Sequence, residues 1–178
     1  MWTVIAFERT PVEPLWALPW TPIVPAVAMP LALLFLVCGL SQRNPTMVGA
    51  HFSPTADPAP GILRITRHPV LWAFALWALA HIVPNGDAAS LIFFGGFALL
   101  ALAGMVILDL KRRARDPDGY ARFAAVTSRL PFLALLLRRA RPDWRGIGWR
   151  RLGVTVLLYA ALFAGHFYYT GVPILPLQ

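Results

Sequence analysis

The fold is decided by residues 66–81, which read TRHPVLWAFALWALAH and are followed by Asn85-Gly86-Asp87. The stretch is apolar and tryptophan-rich, and a histidine stands near each of its ends, at His68 and His81. A helix rises about 1.5 Å per residue, so the two imidazoles lie roughly 20 Å apart along its axis, near opposite faces of a bilayer. The stretch therefore predicts a membrane helix with one polar layer at each end.

The composition is that of a membrane protein. Of 178 residues, 58% are hydrophobic and only 13% are charged, and the mean hydropathy is +0.62. The 16 basic residues outnumber the 8 acidic ones, but they lie between apolar runs, which indicates membrane topology rather than nucleic-acid binding. Cys38, the only cysteine, lies within an apolar run and excludes an intramolecular disulfide or a thiolate cluster. We therefore expect the protein to lie in a lipid bilayer and to have no nucleic-acid partner.

Four apolar runs of spanning or near-spanning length each predict a transmembrane helix. They cover residues 21–40, 67–83, 88–108 and 152–169. Prolines in the first run predict a kinked or late-starting helix, and the third run is expected to end at Asp109, before a charged turn over residues 111–120. The apolar run 133–137 is too short to span and predicts an interfacial or re-entrant helix.

The predicted fold class is an all-α integral membrane protein, a bundle of about four transmembrane helices plus one interfacial or re-entrant helix. We expect a single domain over residues 1–178, in which residues 1–20 form an irregular segment at the membrane interface. The basic residues concentrate in the two loops at one end of the bundle, and the turn at 85–87 has none. The positive-inside rule then places both termini on the periplasmic side of a bacterial inner membrane.

Helix rise and the predicted topology place two histidines at similar depth, in an outer layer of the bundle. His81 ends one outward-running helix, and His166 lies about 22 Å above the basic end of another. Two histidines at one depth are able to ligate a haem iron, with the porphyrin packed on Trp77, Phe163 or Phe167. The plainer interpretation is that each imidazole bonds a backbone carbonyl or an interfacial water.

The inner layer gathers charged residues at the opposite end of the bundle. Arg67 and His68 begin the second helix, and Asp109, Lys111 and Arg112 follow the third. A helix N-terminus favours anions, so we predict an anion site at Arg67, His68, Lys111 and Arg112, with His68 and Asp109 as candidate catalytic residues. The alternative is contact with lipid phosphates and positive-inside anchoring.

A set of motifs follows in order along the chain: Asn44-Pro45-Thr46, Gly49-Ala50, 61–69 (GILRITRHP), 76–81 (LWALAH), Asn85-Gly86-Asp87 and His166 with 171–176 (GVPILP). As an ordered set, these motifs resemble the NnrU family of bacterial membrane proteins. The family is linked to nitric oxide metabolism in denitrifying bacteria, so the resemblance implies that association here, with a nitric oxide reductase complex as one conceivable partner.

NnrU proteins are in turn similar to zeta-carotene isomerase, a haem b membrane enzyme that isomerises a 15-cis double bond. The matching segments are 64–69, 79–81, 119–123 (GYARF) and 127–132 (TSRLPF). That enzyme's Cys-x-x-His haem motif falls on Ala78 and His81, so the histidine is kept and the cysteine is not. These families usually begin with helices upstream of the position of Met1, including a His-Ser pair. If that histidine is their second iron ligand, either His166 replaces it here or the site is incomplete.

Four functions follow from these resemblances and stay open on sequence alone. The first is a haem b protein with His81 and His166 as iron ligands, and the second is an isomerase of a hydrophobic polyene. The third is a membrane methyltransferase, because Arg67-His68-Pro69 with Asp109 resembles enzymes that hold S-adenosylmethionine. The fourth is a non-enzymatic assembly partner of a nitric oxide reductase.

Overall fold

A computed structural model describes residues 14–47, 49–52, 57–172 and 174. The irregular structure predicted for residues 1–13 lies outside this part of the chain. The described helices are α1 (Ile23–Ser41), α2 (Pro69–Ile82), α3 (Ala88–Arg115), α4 (Pro117–Ala125), α5 (Leu133–Leu136), α6 (Trp144–Ile147) and α7 (Trp149–Thr170). A single 3-10 turn, Gly61–Arg64, precedes α2.

The all-α membrane class predicted from the sequence is confirmed. Three helices, α1, α3 and α7, are long and apolar enough to cross a membrane. The central helix α2 is equally apolar but has 14 residues, so it extends about 21 Å and is shorter than the hydrocarbon core. The predicted stretch is therefore the shortest of the four bundle helices.

The helix α2 occupies the middle of the bundle. It packs between α1 and α3, while α7 packs against the other side of α1. Small side chains on α2, namely Ala73, Ala75, Ala78 and Ala80, are buried in these contacts and let the neighbouring helices approach closely. The outward faces of α3 and α7 are exposed and apolar, as lipid-facing surfaces are.

The first helix starts earlier than its prolines suggested. It begins at Ile23 and runs through Pro30 without ending, so the late start is wrong. Pro25 lies in the first turn, where its missing N–H has no helical partner to lose. Neighbouring helices make an internal proline such as Pro30 tolerable in a membrane.

The third helix does not stop at Asp109, and the charged turn over 111–120 is also wrong. Helix α3 continues to Arg115, and α4 begins at Pro117. Asp109 is buried within α3 and its charge is paired, so it need not end the helix. Basic residues in the last turn interact favourably with the helix dipole, and Asp116 then caps α4 by accepting a hydrogen bond from Gly119 N at 2.8 Å.

The run 133–137 forms only the single turn α5, Leu133–Leu136. It is too short to span, as predicted. Leu136 and Leu137 are exposed, while Ala134 is buried against the bundle. The turn therefore lies on the inner end of the helices rather than passing through them.

A hydrogen-bonded network, which we call the inner network, joins the inner end of α1 to the 3-10 turn and to α6. The Gln42 side chain donates to Gly146 O at 2.6 Å and accepts from Ile62 N at 3.2 Å. Asp143 accepts from the backbone N–H groups of Gly61 and Gly146, at 2.8 and 2.9 Å. Each of these side chains has hydrogen-bond partners, so the inner network has a structural role.

The outer end of α2 is held by the N-terminal segment. Residues 14–20 are not helical. The Trp16 indole donates to Val83 O at 2.9 Å, and Leu15 N donates to Gly86 O at 2.6 Å. This segment therefore covers the turn that joins α2 to α3.

Candidate functional site

The inner end of α2 contains a buried histidine and carboxylate in direct contact. His68 precedes the first residue of α2 and Asp109 lies on α3, and their Nε2 and Oδ1 atoms are 2.9 Å apart. Only 2% of His68 and 3% of Asp109 is exposed. The structure thus brings together the two residues that the sequence singled out as candidate catalytic groups.

Two arginines complete the surroundings of this carboxylate. Arg129 donates from both Nε and Nη2 to Asp109 Oδ2, at 3.0 and 2.9 Å. Arg67 Nη1 lies 3.6 Å from the same oxygen. Arg129 was not among the predicted site residues, although it lies in the segment 127–132 that carries part of the resemblance. We call Arg67, His68, Asp109, Tyr120 and Arg129 the inner cluster.

Arg67 is anchored by its other contacts. Its Nη1 donates to the Tyr120 hydroxyl at 2.7 Å, and its Nη2 donates to Thr127 O at 3.2 Å. Tyr120 belongs to α4, and burial raises the pKa of its phenol above the ordinary value, so the hydroxyl stays protonated at neutral pH. The inner cluster therefore joins α2, α3 and α4.

Backbone pairing brings Arg129 to the cluster. Arg67 N donates to Ser128 O at 2.9 Å, and Phe132 N donates to Ile65 O at 2.8 Å. The carbonyl of Arg129 accepts from Thr66 Oγ1 at 3.1 Å and from the Trp72 indole at 2.7 Å. These bonds hold residues 128–132 beside the segment that leads into α2.

Two residues of the predicted anion site lie elsewhere. Lys111 is exposed and has no hydrogen bond or ion pair among the described residues. The Arg112 guanidinium donates to the carbonyl oxygens of Ala50, Met47 and Thr46. It therefore ties the loop after α1 to the end of α3, and only Arg67 and His68 of the predicted set belong to the inner cluster.

The outer layer is built differently, around His81 at the end of α2. Its Nδ1 lies 2.7 Å from Trp77 O, one turn earlier on the same helix. Its ring stacks on Phe94 of α3, with the centroids 5.5 Å apart and the planes at 28°. Trp77 in turn meets Phe93, Phe94 and Phe97 edge-on, so the histidine lies beside an aromatic cluster.

His166, near the end of α7, has a similar hydrogen bond. Its Nδ1 lies 2.9 Å from Val172 O and 3.2 Å from Thr170 Oγ1. Phe163 packs on Tyr159, and Phe167, which is exposed, packs on Tyr168. The plainer interpretation, a hydrogen bond from each imidazole to a backbone carbonyl, therefore describes Nδ1 of both histidines. It does not account for the second ring nitrogen, Nε2.

The second nitrogens have the chemistry of metal ligands. A carbonyl oxygen only accepts, so Nδ1 of each ring carries the proton and Nε2 of the neutral ring keeps its lone pair. Nε2 has no hydrogen-bond partner among the described residues in either histidine. No group of three or more His, Cys, Asp or Glu residues suited to a metal ion occurs in the described chain.

These features define a small helical membrane protein with a buried ionic cluster at one end and an aromatic, histidine-containing layer at the other. The model of the family described as NnrU protein matches residues 1–174, and the chain belongs to the NnrU family. Searches of curated proteins and of solved structures found no match.

Proposed function

We propose that this NnrU protein binds haem b in its outer layer, where His81 and His166 would hold the iron. The observation that carries the proposal is the shared hydrogen bond of the two rings, Nδ1 to a backbone carbonyl. Metal-ligating histidines almost always donate their other N–H in this way, because the bond fixes the tautomer and the ring orientation. Two imidazoles and an apolar, aromatic surrounding suit a haem iron better than a bare metal ion, which needs more ligands.

The residues around His81 are suited to hold it in place. The Asn85 side chain donates to His81 O at 2.7 Å, and Trp16 holds the next turn through Val83 O. Phe94 covers one face of the imidazole and Trp77 lies beside it, so water has little access from α3. When bound, haem would supply a redox-active iron, and nitric oxide would bind that iron only in place of one of the two histidines.

Haem titration into purified apoprotein tests the ligand assignment. We expect a Soret band that saturates at one haem per chain, and loss of tight binding in His81→Ala and in His166→Ala. His51→Ala is the matched control, because His51 is an exposed loop histidine at the other end of the bundle. A wild-type protein without a saturable Soret band, or variants that bind as well as the wild type, would refute the proposal.

A groove at the outer end of α1 favours a second candidate, isomerisation of a hydrophobic polyene. Its volume is about 440 Å³, and its lining side chains, which are all apolar, are Trp20, Ile23, Val24, Val27 and Ala28. A surface lined only by apolar side chains suits contact with a substrate without polar groups. Expression in cells that accumulate 15-cis-zeta-carotene would change their pigment profile if this activity is present, and an unchanged profile counts against it.

A further inference from the structure

The inner cluster contains two enclosed nitrogens without partners. Arg67 Nε and His68 Nδ1 are both shielded from solvent and have no hydrogen bond among the described residues. The two residues are 8% and 2% exposed. Buried polar groups are nearly always hydrogen-bonded, so the Arg67 N–H calls for an acceptor that the described residues do not supply. His68 Nδ1 calls for a donor when the ring is neutral and for an acceptor when the ring is protonated.

The cluster also has a surplus of positive charge. Two guanidinium groups face one carboxylate, so one positive charge is left over even when His68 is neutral. The Arg129 side chain is partly solvated, but the Arg67 side chain is only 10% exposed, so water compensates little of the charge on Arg67. A buried charge is costly unless it is paired, which makes an anion the group that balances the cluster.

The start of α2 adds to the positive electrostatic potential of the inner cluster. No side chain caps this helix N-terminus among the described residues, and Pro69 at its first position is buried. The free N–H groups and the dipole of the first turn favour a negative group there. Residues 67–69 and their contacts therefore combine three features. These are an uncapped helix end, surplus positive charge and two nitrogens without described partners.

We propose that the inner cluster binds a phosphate group, held by Arg67 Nε, Arg129 and the start of α2 with His68 beside it. Guanidinium groups match phosphate oxygens in geometry as well as charge, and Arg129 Nη1 has no hydrogen bond among the described residues. The Arg129 side chain is 44% exposed, so the ligand reaches the cluster from this side. The phosphate belongs either to a lipid headgroup or to a soluble compound.

This site is independent of the proposed haem site, which lies at the other end of α2. Its charge also opposes a cationic ligand, including the sulfonium centre of S-adenosylmethionine. Binding of S-adenosylmethionine that depends on His68 and Asp109, together with no binding of phosphate, would therefore overturn the proposal in favour of a methyltransferase site.

The test is thermal unfolding of the full chain, purified in an uncharged detergent and followed by tryptophan fluorescence. One arm compares inorganic phosphate with chloride at equal ionic strength, and the other compares phosphatidylglycerol with diacylglycerol. A saturable rise in Tm with phosphate indicates a soluble ligand, and a rise only with phosphatidylglycerol indicates a lipid headgroup. If neither probe raises Tm beyond its control, the proposal is wrong.

Variants separate the site from general charge effects. Arg129→Lys keeps a positive charge beside Asp109 but loses the planar fork, so the half-saturation concentration should rise about tenfold. The matched control is Arg113→Gln, which removes a charge at an exposed arginine of α3 without described hydrogen bonds. An equal response in Arg129→Lys and the wild type would refute the site.

A second measurement needs no substitution. The nitrogen NMR signal of His68 Nδ1 should shift when phosphate or phosphatidylglycerol is added, and an unchanged signal would likewise refute the site.

Discussion

The two ends of the α2 helix are held in different ways. At the inner end, side chains from α2, α3, α4 and the segment 128–132 meet in a buried network of charges and hydrogen bonds. At the outer end, contacts are mostly aromatic packing and bonds from side chains to backbone carbonyls. The inner end thus depends on specific charged partners, while the outer end leaves imidazole nitrogens available to a bound group.

The difference follows from how the chain is connected. The turn from α2 to α3 at the outer end is short, whereas the inner end receives the long connections between α1 and α2 and between α3 and α7. Long connections bring side chains that are distant in sequence, such as Arg129 and Asp143, against the helix ends. The inner end therefore gains a polar network that no single helix encodes.

Removal of the central carboxylate should have the largest effect. In Asp109→Ala, Arg67 and Arg129 lose their counter-charge within a buried site, and the free energy of unfolding should fall by about 3–5 kcal/mol. Unfolding in increasing denaturant, monitored by tryptophan fluorescence, measures the change. The comparison variant is Asp118→Ala, at an exposed carboxylate of α4, which should change stability by less than about 0.5 kcal/mol. Equal, small effects of both variants would show that the inner cluster does not stabilise the fold.

Substitution in the inner network should have the next largest effect on stability. Gly61 has φ +57°, and a Cβ there would clash with the Gln42 side chain and lie 2.8 Å from the Gly146 carbonyl carbon. Gly61→Ala should therefore cost about 2 kcal/mol of unfolding free energy, from left-handed strain and displaced backbone. Gly95→Ala, on the open face of α3 with nothing near the added methyl, should be neutral or slightly stabilising. A loss at Gly95 as large as at Gly61 would contradict this account.

The outer end should show the smallest effect. Asp87 caps α3 by accepting from Ser90 N at 2.8 Å, and Asp87→Ala should cost about 1 kcal/mol. Burial alone would raise the pKa of this carboxyl, but hydrogen bonds from Ser90 and Ala89 hold the pKa below its ordinary value. The contribution is thus present above about pH 4 and is lost as the pH falls through the folded-state pKa. Asp87→Asn keeps the cap without the titration, so its stability should not share this acid-induced loss.

Particular residues show what the sequence could and could not predict. His68 and Asp109 were predicted to share a layer because helix rise fixes depth, and the structure places them 2.9 Å apart. Arg129 was not predicted to join them, since its position depends on the backbone bonds of Ser128 and Phe132 to the segment before α2. The predicted end of α3 at Asp109 is wrong because partners from distant segments neutralise this carboxylate, so the helix continues to Arg115.

The most direct test of the haem proposal is the electron paramagnetic resonance spectrum of the ferric protein after haem is bound. Ligation by both His81 and His166 predicts a low-spin signal typical of two imidazole ligands. Each single substitution, His81→Ala or His166→Ala, should convert that signal to high spin, while His51→Ala should leave it unchanged. A low-spin signal that persists in either His81→Ala or His166→Ala would contradict the assignment of these two histidines as the residues that hold the iron.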